Sequence, residues 1–314
     1  MAVTVDSILK STYSDFELIM VNDGSTDDSG ATCDRCAAQD NRVRVIHKQN
    51  AGVAEARNSG LGAAKGDCIM FVDADDMIHP RMIEILQRAL DSGEHDLAMV
   101  HGVKVREEEF QGIKPLVDDE FPEPVAVTRD DYMDRIYAFD YQYQVVWNKL
   151  YRKSLIDGLQ FKNTSSEDLE WLNRMALRMQ SAILVQAELY YYFQRHGSLM
   201  RTGVNQHYIG RVDSYLMCLN AIPATERGYR ALCLKTLYSV MLLVRRKAYD
   251  ANLKKEADEC CAKVFKTTIK EFLGSDIAFA SKVRSVIGYM MPRLYNRVVN
   301  HKESRARHSG PQQK

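Results

Sequence analysis

Short apolar runs that stop at acidic or glycine-bearing turns set the pattern of the first third of this chain. Residues 16–21 end in Asn22-Asp23-Gly24, residues 68–72 end in Asp73-Ala74-Asp75-Asp76, and two further runs cover 43–47 and 96–103. Runs of this length without alternation predict strands buried on both faces. Between them the period changes to helical. Ser25 and Asp28 stand three apart as a capping-box pair, which predicts a helix over about 26–38. Small and apolar residues recur at helical spacing over 52–64, and Pro80 opens a helix that runs to about residue 92. Strand–helix alternation with apolar strands predicts a parallel sheet covered on both faces.

From 104 to 131 the texture becomes polar, with acids clustered at 107–109 and 118–120 and prolines at Pro115, Pro122 and Pro124. A strand-like pattern returns over 145–152. Ser165 and Asp168 then cap a helix to about residue 179, and 182–193 is long, apolar and aromatic. From 205 onward the period is helical, which predicts a helical C-terminal region over 205–300 and a disordered basic tail over 301–314.

Composition narrows the function classes. Lys+Arg and Asp+Glu both number 42, so the overall charge favours no nucleic-acid partner. The longest uncharged stretch, 214–225, contains Asn220 and Pro223 and is too short to span a bilayer. The first ten residues lack the basic start and apolar centre of a signal peptide. Seven cysteines, an odd number, fit reduced thiols in a cytosol. Cys33 and Cys36 form a C-x-x-C, but no second pair accompanies them, so a metal or redox site there is the weaker reading.

The candidate chemistry sits where the apolar runs end. Asp73 and Asp75 lie two apart as an extended strand runs out, so both carboxylates project to one side. Two hard oxygen donors, completed by diphosphate oxygens and water, suit Mn2+ or Mg2+; the plain alternative is an Asp-rich surface turn. Asp23 precedes Gly24, where the backbone can turn sharply, and its carboxylate could accept from a nucleobase or ribose. Arg57 could meet a base carbonyl or phosphate, or pair with an acid such as Asp23. Trp147 and Tyr190-Tyr191-Tyr192 invite a sugar-stacking reading, with packing the stronger alternative. His196 is either an ordinary loop histidine or a diphosphate contact.

Asn22-Asp23-Gly24-Ser25-Thr26-Asp27, then Asn50-Ala51-Gly52-Val53-Ala54-Glu55-Ala56-Arg57-Asn58-Ser59-Gly60, then Phe71-Val72-Asp73-Ala74-Asp75-Asp76 resemble the family 2 glycosyltransferases of the GT-A fold. Trp147-Asn148-Lys149-Leu150-Tyr151-Arg152, Glu167-Asp168 and residues 191–200 are similar to the segments that follow in bacterial members making surface polysaccharides. The resemblance covers about residues 5–201. It implies an α/β, Rossmann-like GT-A nucleotide-diphospho-sugar transferase fold over 1–204, followed by the helical appendix. It further implies inverting transfer from a nucleotide-sugar donor, usually a UDP-sugar, to a saccharide or lipid-linked acceptor. By position, Asp23 and Arg57 would hold the uridine. Asp73 and Asp75 would contact ribose, diphosphate and a divalent cation, and Asp168 would be the base that deprotonates the acceptor. The structural alternative for Asp168 is helix capping.

Two features complete the expectations. Family members usually carry an apolar strand, a turn and a helix ahead of the segment matching residues 5–9. Almost all of that is absent, which would leave two neighbouring strands without a hydrogen-bonding partner. An inactive truncated remnant acting as an interaction protein is therefore the second reading. A nucleotidyltransferase ranks lower because no Gly-rich basic loop for a triphosphate occurs. At the C-terminal end Lys282, Arg284, Arg293, Arg297, Lys302, Arg305, Arg307 and Lys314 face the single acid Glu303. Val283, Ile287, Met290, Met291, Leu294 and Val298 share one helical face, interrupted at Pro292. Such a stretch lies on the inner face of the cytoplasmic membrane or packs on the catalytic domain.

Overall fold

The computed structural model describes residues 1–106, 123–194, 206–249, 253–292 and 295. The chain divides into two compact units, Met1–Arg201 and Thr202–Lys314.

The first unit is mixed α/β. In chain order it runs α1 (Ala2–Leu9), β1 (Leu18–Asp23), α2 (Ser29–Gln39), β2 (Val43–Lys48), α3 (Val53–Ala63), β3 (Cys68–Met70) and β4 (Met77–Ile78). Next come α4 (Met82–Asp91), β5 (Leu97–Arg106), β6 (Val125–Thr128) and α5 (Arg129–Tyr137). It closes with β7 (Lys149–Arg152), α6 (Lys153–Ile156), α7 (Glu167–Ala176) and β8 (Ser181–Gln194). The strands and helices expected from the apolar runs are present, with shifted ends.

The expected all-parallel sheet is not what forms. β1 and β2 pair in parallel, from Leu18 opposite Val43 to Asp23 opposite Lys48. Separately, the order β3-β7-β5-β8-β4 makes a second sheet, with β6 also on β8. There β5 and β8 are parallel, and the pairs β3–β7, β5–β7, β4–β8 and β6–β8 are antiparallel. A continuous apolar run records burial of both faces and carries no information on strand direction, which the connections set. β1 and β3 share no ladder among the described residues.

The capping box expected at Ser25 and Asp28 is also absent. α2 starts at Ser29 with no side-chain cap. Asn22 Oδ1 takes the Ser25 N–H at 3.0 Å and Asp27 Oδ1 takes the Ser29 N–H at 3.0 Å, so side chains outside the helix satisfy this turn.

α4 shows how the main core is built. It buries Met82, Ile83, Ile85, Leu86, Ala89 and Leu90 against Ala98 and Val100 of β5 and Ile183, Val185 and Leu189 of β8. Each large side chain fully withdrawn from water contributes about 1.5–3 kcal/mol. A second set of contacts prepares the site. Trp171 of α7 stacks on Phe161 at 4.7 Å and meets Phe71 edge-on at 5.7 Å. Phe71 is two residues before Asp73, and Trp171 three after Asp168, so one aromatic cluster fixes both acid-bearing segments. α1 braces the acidic turn from the other side: Thr4 Oγ1 donates to the Ala74 carbonyl at 2.9 Å.

The second unit is helical, as expected: α8 (Gln206–Ala221), α9 (Arg227–Tyr249), α10 (Lys254–Gly274) and α11 (Phe279–Met290). α9 packs on the other three. Tyr238 stacks on Phe272 at 3.7 Å, and Arg245 Nε meets Asp258 Oδ1 at 2.7 Å. No helix among the described residues is long and apolar enough to cross a membrane.

Candidate active site

Asp23 ends β1 beside the start of α3. Its carboxylate accepts from Lys48 Nζ at 2.7 Å, from the Gly52 N–H at 2.7 Å and from the Ala51 N–H at 3.1 Å. The Lys48 contact, with the two backbone donors, holds this acid below the ordinary carboxylate range. Gly24 follows at φ +71°, and a Cβ there would lie 2.7 Å from the Asn50 nitrogen, so only glycine lets the two turns meet. Arg57 does not pair with Asp23, as one of the two readings from sequence had it; Lys48 fills that place.

Arg57 instead lies among three other acids. Nη1 donates to Asp168 and, at 2.9 Å, to Glu167; Nη2 donates to Asp73 at 3.1 Å. Its side chain is 11% exposed. Burial works against the charge, but Asp168, Asp73 and Glu167 outweigh it and hold the guanidinium more firmly protonated than usual. The cation also lies 5.4 Å over the Phe161 ring. Asn58, next on the helix, exchanges two bonds with the Phe161 backbone at 2.7 and 2.9 Å, fixing α3 to the segment that leads into α7.

Asp168 does not cap α7. Ser166 is the N-cap, without a side-chain bond, and the Asp168 carboxylate faces Arg57 and accepts the Val146 N–H. Burial pushes its pKa up to about 7, aided by the negative Glu167 and Asp73, against the pull of Arg57 and the Val146 N–H. A carboxyl tuned to this range is suited to proton transfer near neutrality.

The acidic turn divides its roles. Asp73 is raised by burial and by the charges of Asp75 and Glu167, with Arg57 opposing. Asp76 is fully buried, accepts from Tyr190 Oη at 2.7 Å and from the Phe193 N–H at 3.0 Å, and is raised by burial to about 7. Tyr190 Oη in turn accepts the Asp73 N–H at 3.1 Å. Asp75 is exposed, and no hydrogen bond or ion pair among the described residues engages it. Among those residues no group of three or more His, Cys, Asp or Glu side chains could hold a metal ion. The donor chemistry fits a hard cation that takes an oxygen from the free Asp75, with Asp73 adjacent, and fills its remaining positions from a substrate.

Sequence reasoning missed the floor of this site. Lys149 is buried and donates to the carbonyls of Gln142 and Val145 at 2.7 and 2.6 Å and to Asn148 Oδ1 at 2.6 Å. Burial lowers its pKa to about 7. Gln142 exchanges two bonds with the Gly102 backbone at 2.9 and 2.8 Å. This polar knot shapes the turn that presents the Val146 N–H to Asp168. Trp147 from the same turn is buried and stacks on Tyr190 at 4.1 Å, so it packs, as the stronger reading held. A lone Lys beside an Asn gave no local signal of any of this. Cys33 is buried against the Met1 sulfur, and none of the seven cysteines forms a disulfide. His196, Pro115 and Pro122 lie outside the described residues, as do Leu294, Val298 and the 301–314 tail.

Structures of similar shape define the class. The chain superposes on S. aureus TarS residues 1–349 in complex with UDP-GlcNAc with a TM-score of 0.59, over 92% of this chain and 88% of that one. At 17% identity this likeness shows the fold: a GT-A arrangement with a helical C-terminal region. Among relatives, it is 35% identical over 206 residues to the glycosyltransferase GlyG of Streptococcus pneumoniae serotype 4, covering 63% of this chain and 67% of GlyG. It is 32% identical over 155 residues to the uncharacterized glycosyltransferase EpsJ of Bacillus subtilis, covering 49% and 44% respectively. A sequence model of Glycosyl transferase family 2 matches residues 1–159, and the chain belongs to that family.

Proposed function

We propose that this chain transfers a sugar from a nucleotide-sugar donor, with UDP as carrier, to a hydroxyl of a saccharide or lipid-linked acceptor, with inversion. The observation that carries this reading is the half-buried Asp168, raised to about 7 and held by the same guanidinium that holds Asp73. Asp168 takes the proton of the acceptor hydroxyl as that oxygen bonds to the anomeric carbon. The bond from the anomeric carbon to the diphosphate oxygen breaks in the same displacement, and entry opposite the leaving group inverts the centre. A placed carboxylate of this kind contributes about 10²- to 10⁴-fold.

Asp23 and Arg57 hold the uridine side of the donor, and Asp73 and Asp75 face ribose and diphosphate. Mn2+ or Mg2+, held by Asp75 with Asp73, supplies charge stabilisation for the departing diphosphate, worth several kcal/mol. Tyr190 keeps the acidic turn in place through the Asp73 N–H and Asp76. The setting we propose is cell-surface polysaccharide synthesis at the inner face of the cytoplasmic membrane.

The test is thermal unfolding with UDP and Mn2+ or Mg2+. The melting temperature rises with both together, and Asp75→Ala abolishes the rise while leaving the ligand-free melt unchanged. A well-folded preparation that responds to no nucleoside diphosphate refutes the reading. Release of free UDP during donor screening then identifies the sugar.

A further inference from the structure

The second unit carries a surface that sugar transfer does not use. Ten large apolar side chains are exposed among the described residues. Four of them, Val3, Val53, Val125 and Phe139, are scattered through the first unit. The other six, Leu273, Phe279, Val283, Ile287, Met290 and Met291, lie at the end of α10, along α11 and at the residue that caps it. Phe279 is 80% exposed, Met290 66% and Leu273 53%. Single exposed apolar residues are ordinary, whereas a contiguous set marks a contact surface.

Their spacing makes the set a stripe. At about 100° per residue, Phe279, Val283, Ile287 and Met290 fall within an arc of roughly 80° on α11. Ser285 and Gly288, buried, fall on the opposite side. A Cβ on Gly288 would lie 3.0 Å from Leu242 of α9, so the absence of a side chain there lets α11 settle closely on α9. The stripe is therefore the face turned away from its own unit.

Charge identifies what the stripe meets. Arg284 is exposed about 100° to one side of its centre; Lys282, on the other side, donates to the carbonyls of Leu273 and Ser275. Between Asp276 and Glu303 the chain carries five basic residues, Lys282, Arg284, Arg293, Arg297 and Lys302, and no acid, within a sequence whose charges balance overall. A second copy docked on this face would set one net-basic segment against another, which is repulsive. An anionic lipid surface accepts the apolar stripe among its acyl chains and the basic residues of this segment among its headgroups.

We propose that the second unit seats on an anionic membrane surface through the α11 stripe and Leu273. This gives the membrane part of the proposed function its contact face. Its test contains no nucleotide, so failure here and failure of the donor site are separate results. Full-length protein is co-sedimented with vesicles of phosphatidylglycerol and phosphatidylcholine, and with vesicles of phosphatidylcholine alone. Binding is stronger on the anionic vesicles and weakens with salt. Phe279→Glu with Ile287→Glu lowers it by about tenfold or more. Arg284→Glu, which leaves the stripe intact, lowers it several-fold on anionic vesicles only. Circular dichroism melts of the variants match the parent. Equal binding by parent and double variant overturns the proposal, as does absence of binding to either vesicle. So does a concentration-dependent dimer, seen by light scattering, that the same substitutions abolish.

Discussion

Arg57 donates through Nη1 to Asp168, a residue 111 positions away in the chain. With Nη2 on Asp73, this one guanidinium joins α3, the end of the β3 segment and the first turn of α7. The proposed base and the donor-facing acid are thereby held against a single cation, and the charge of Asp73 raises the pKa of Asp168.

Arg57→Ala is expected to destabilise the fold by about 1.5–3 kcal/mol, because it removes the charged donor shared by three half-buried carboxylates. Arg57→Lys restores a charge without the two-pronged donor and recovers part of that loss. Urea unfolding of the two variants measures both effects. An Arg57→Ala midpoint equal to that of the parent would show the cluster to be unimportant for stability.

Asp168→Asn should reduce turnover by about 10²- to 10⁴-fold, with the UDP-dependent thermal shift retained. In the parent, activity is expected to fall as pH drops through about 7, where the half-buried acid takes up its proton and loses the proposed role of base. The stability contribution has the opposite sign. The folded carboxyl binds its proton more tightly than the unfolded one, so this group's contribution is full below the ordinary value of 3.8 and declines as pH rises to about 7. A pH–rate profile without an acid limb near neutrality would remove Asp168 from the base role.

Tyr190→Phe deletes the hydroxyl that donates to buried Asp76 and accepts the Asp73 N–H. Leaving those two groups short of a partner is expected to cost about 1–3 kcal/mol. Calorimetric unfolding reads the loss. UDP binding should weaken as well, since the acidic turn loses its tether.

Gly102→Ala is expected to displace Trp147, because a Cβ at position 102 would come within 2.3 Å of the indole ring. The near-ultraviolet circular dichroism of the Trp147–Tyr190 stack should change, and stability should fall by about 1–3 kcal/mol from overpacking. An unaltered spectrum would mean that the ring accommodates the methyl in place.

Much of this protein was legible from local pattern. Apolar runs ending at Asp23 and Asp73 located strand ends and the acids they present, and the helical period located α3, α4 and the helices of the second unit. Burial periodicity and turn chemistry act within a few residues, so a sequence window contains their cause. Local pattern failed where the partner lies far along the chain. Ser165 and Asp168 read as a cap, yet Asp168 turns to Arg57 because burial of that cation requires acids around it. Lys149 read only as part of a strand-like pattern and lies under the turn that serves Asp168, held by carbonyls from its own loop. The direction of β7 against β5 was likewise invisible, since apolar residues on both faces of a strand report burial and not orientation. The sequence by itself determined which segments form elements and which acids end them. Only the tertiary structure decided which charges meet, because the energy of an ion pair depends on separation in space and on exclusion of water, and neither is written in neighbouring residues.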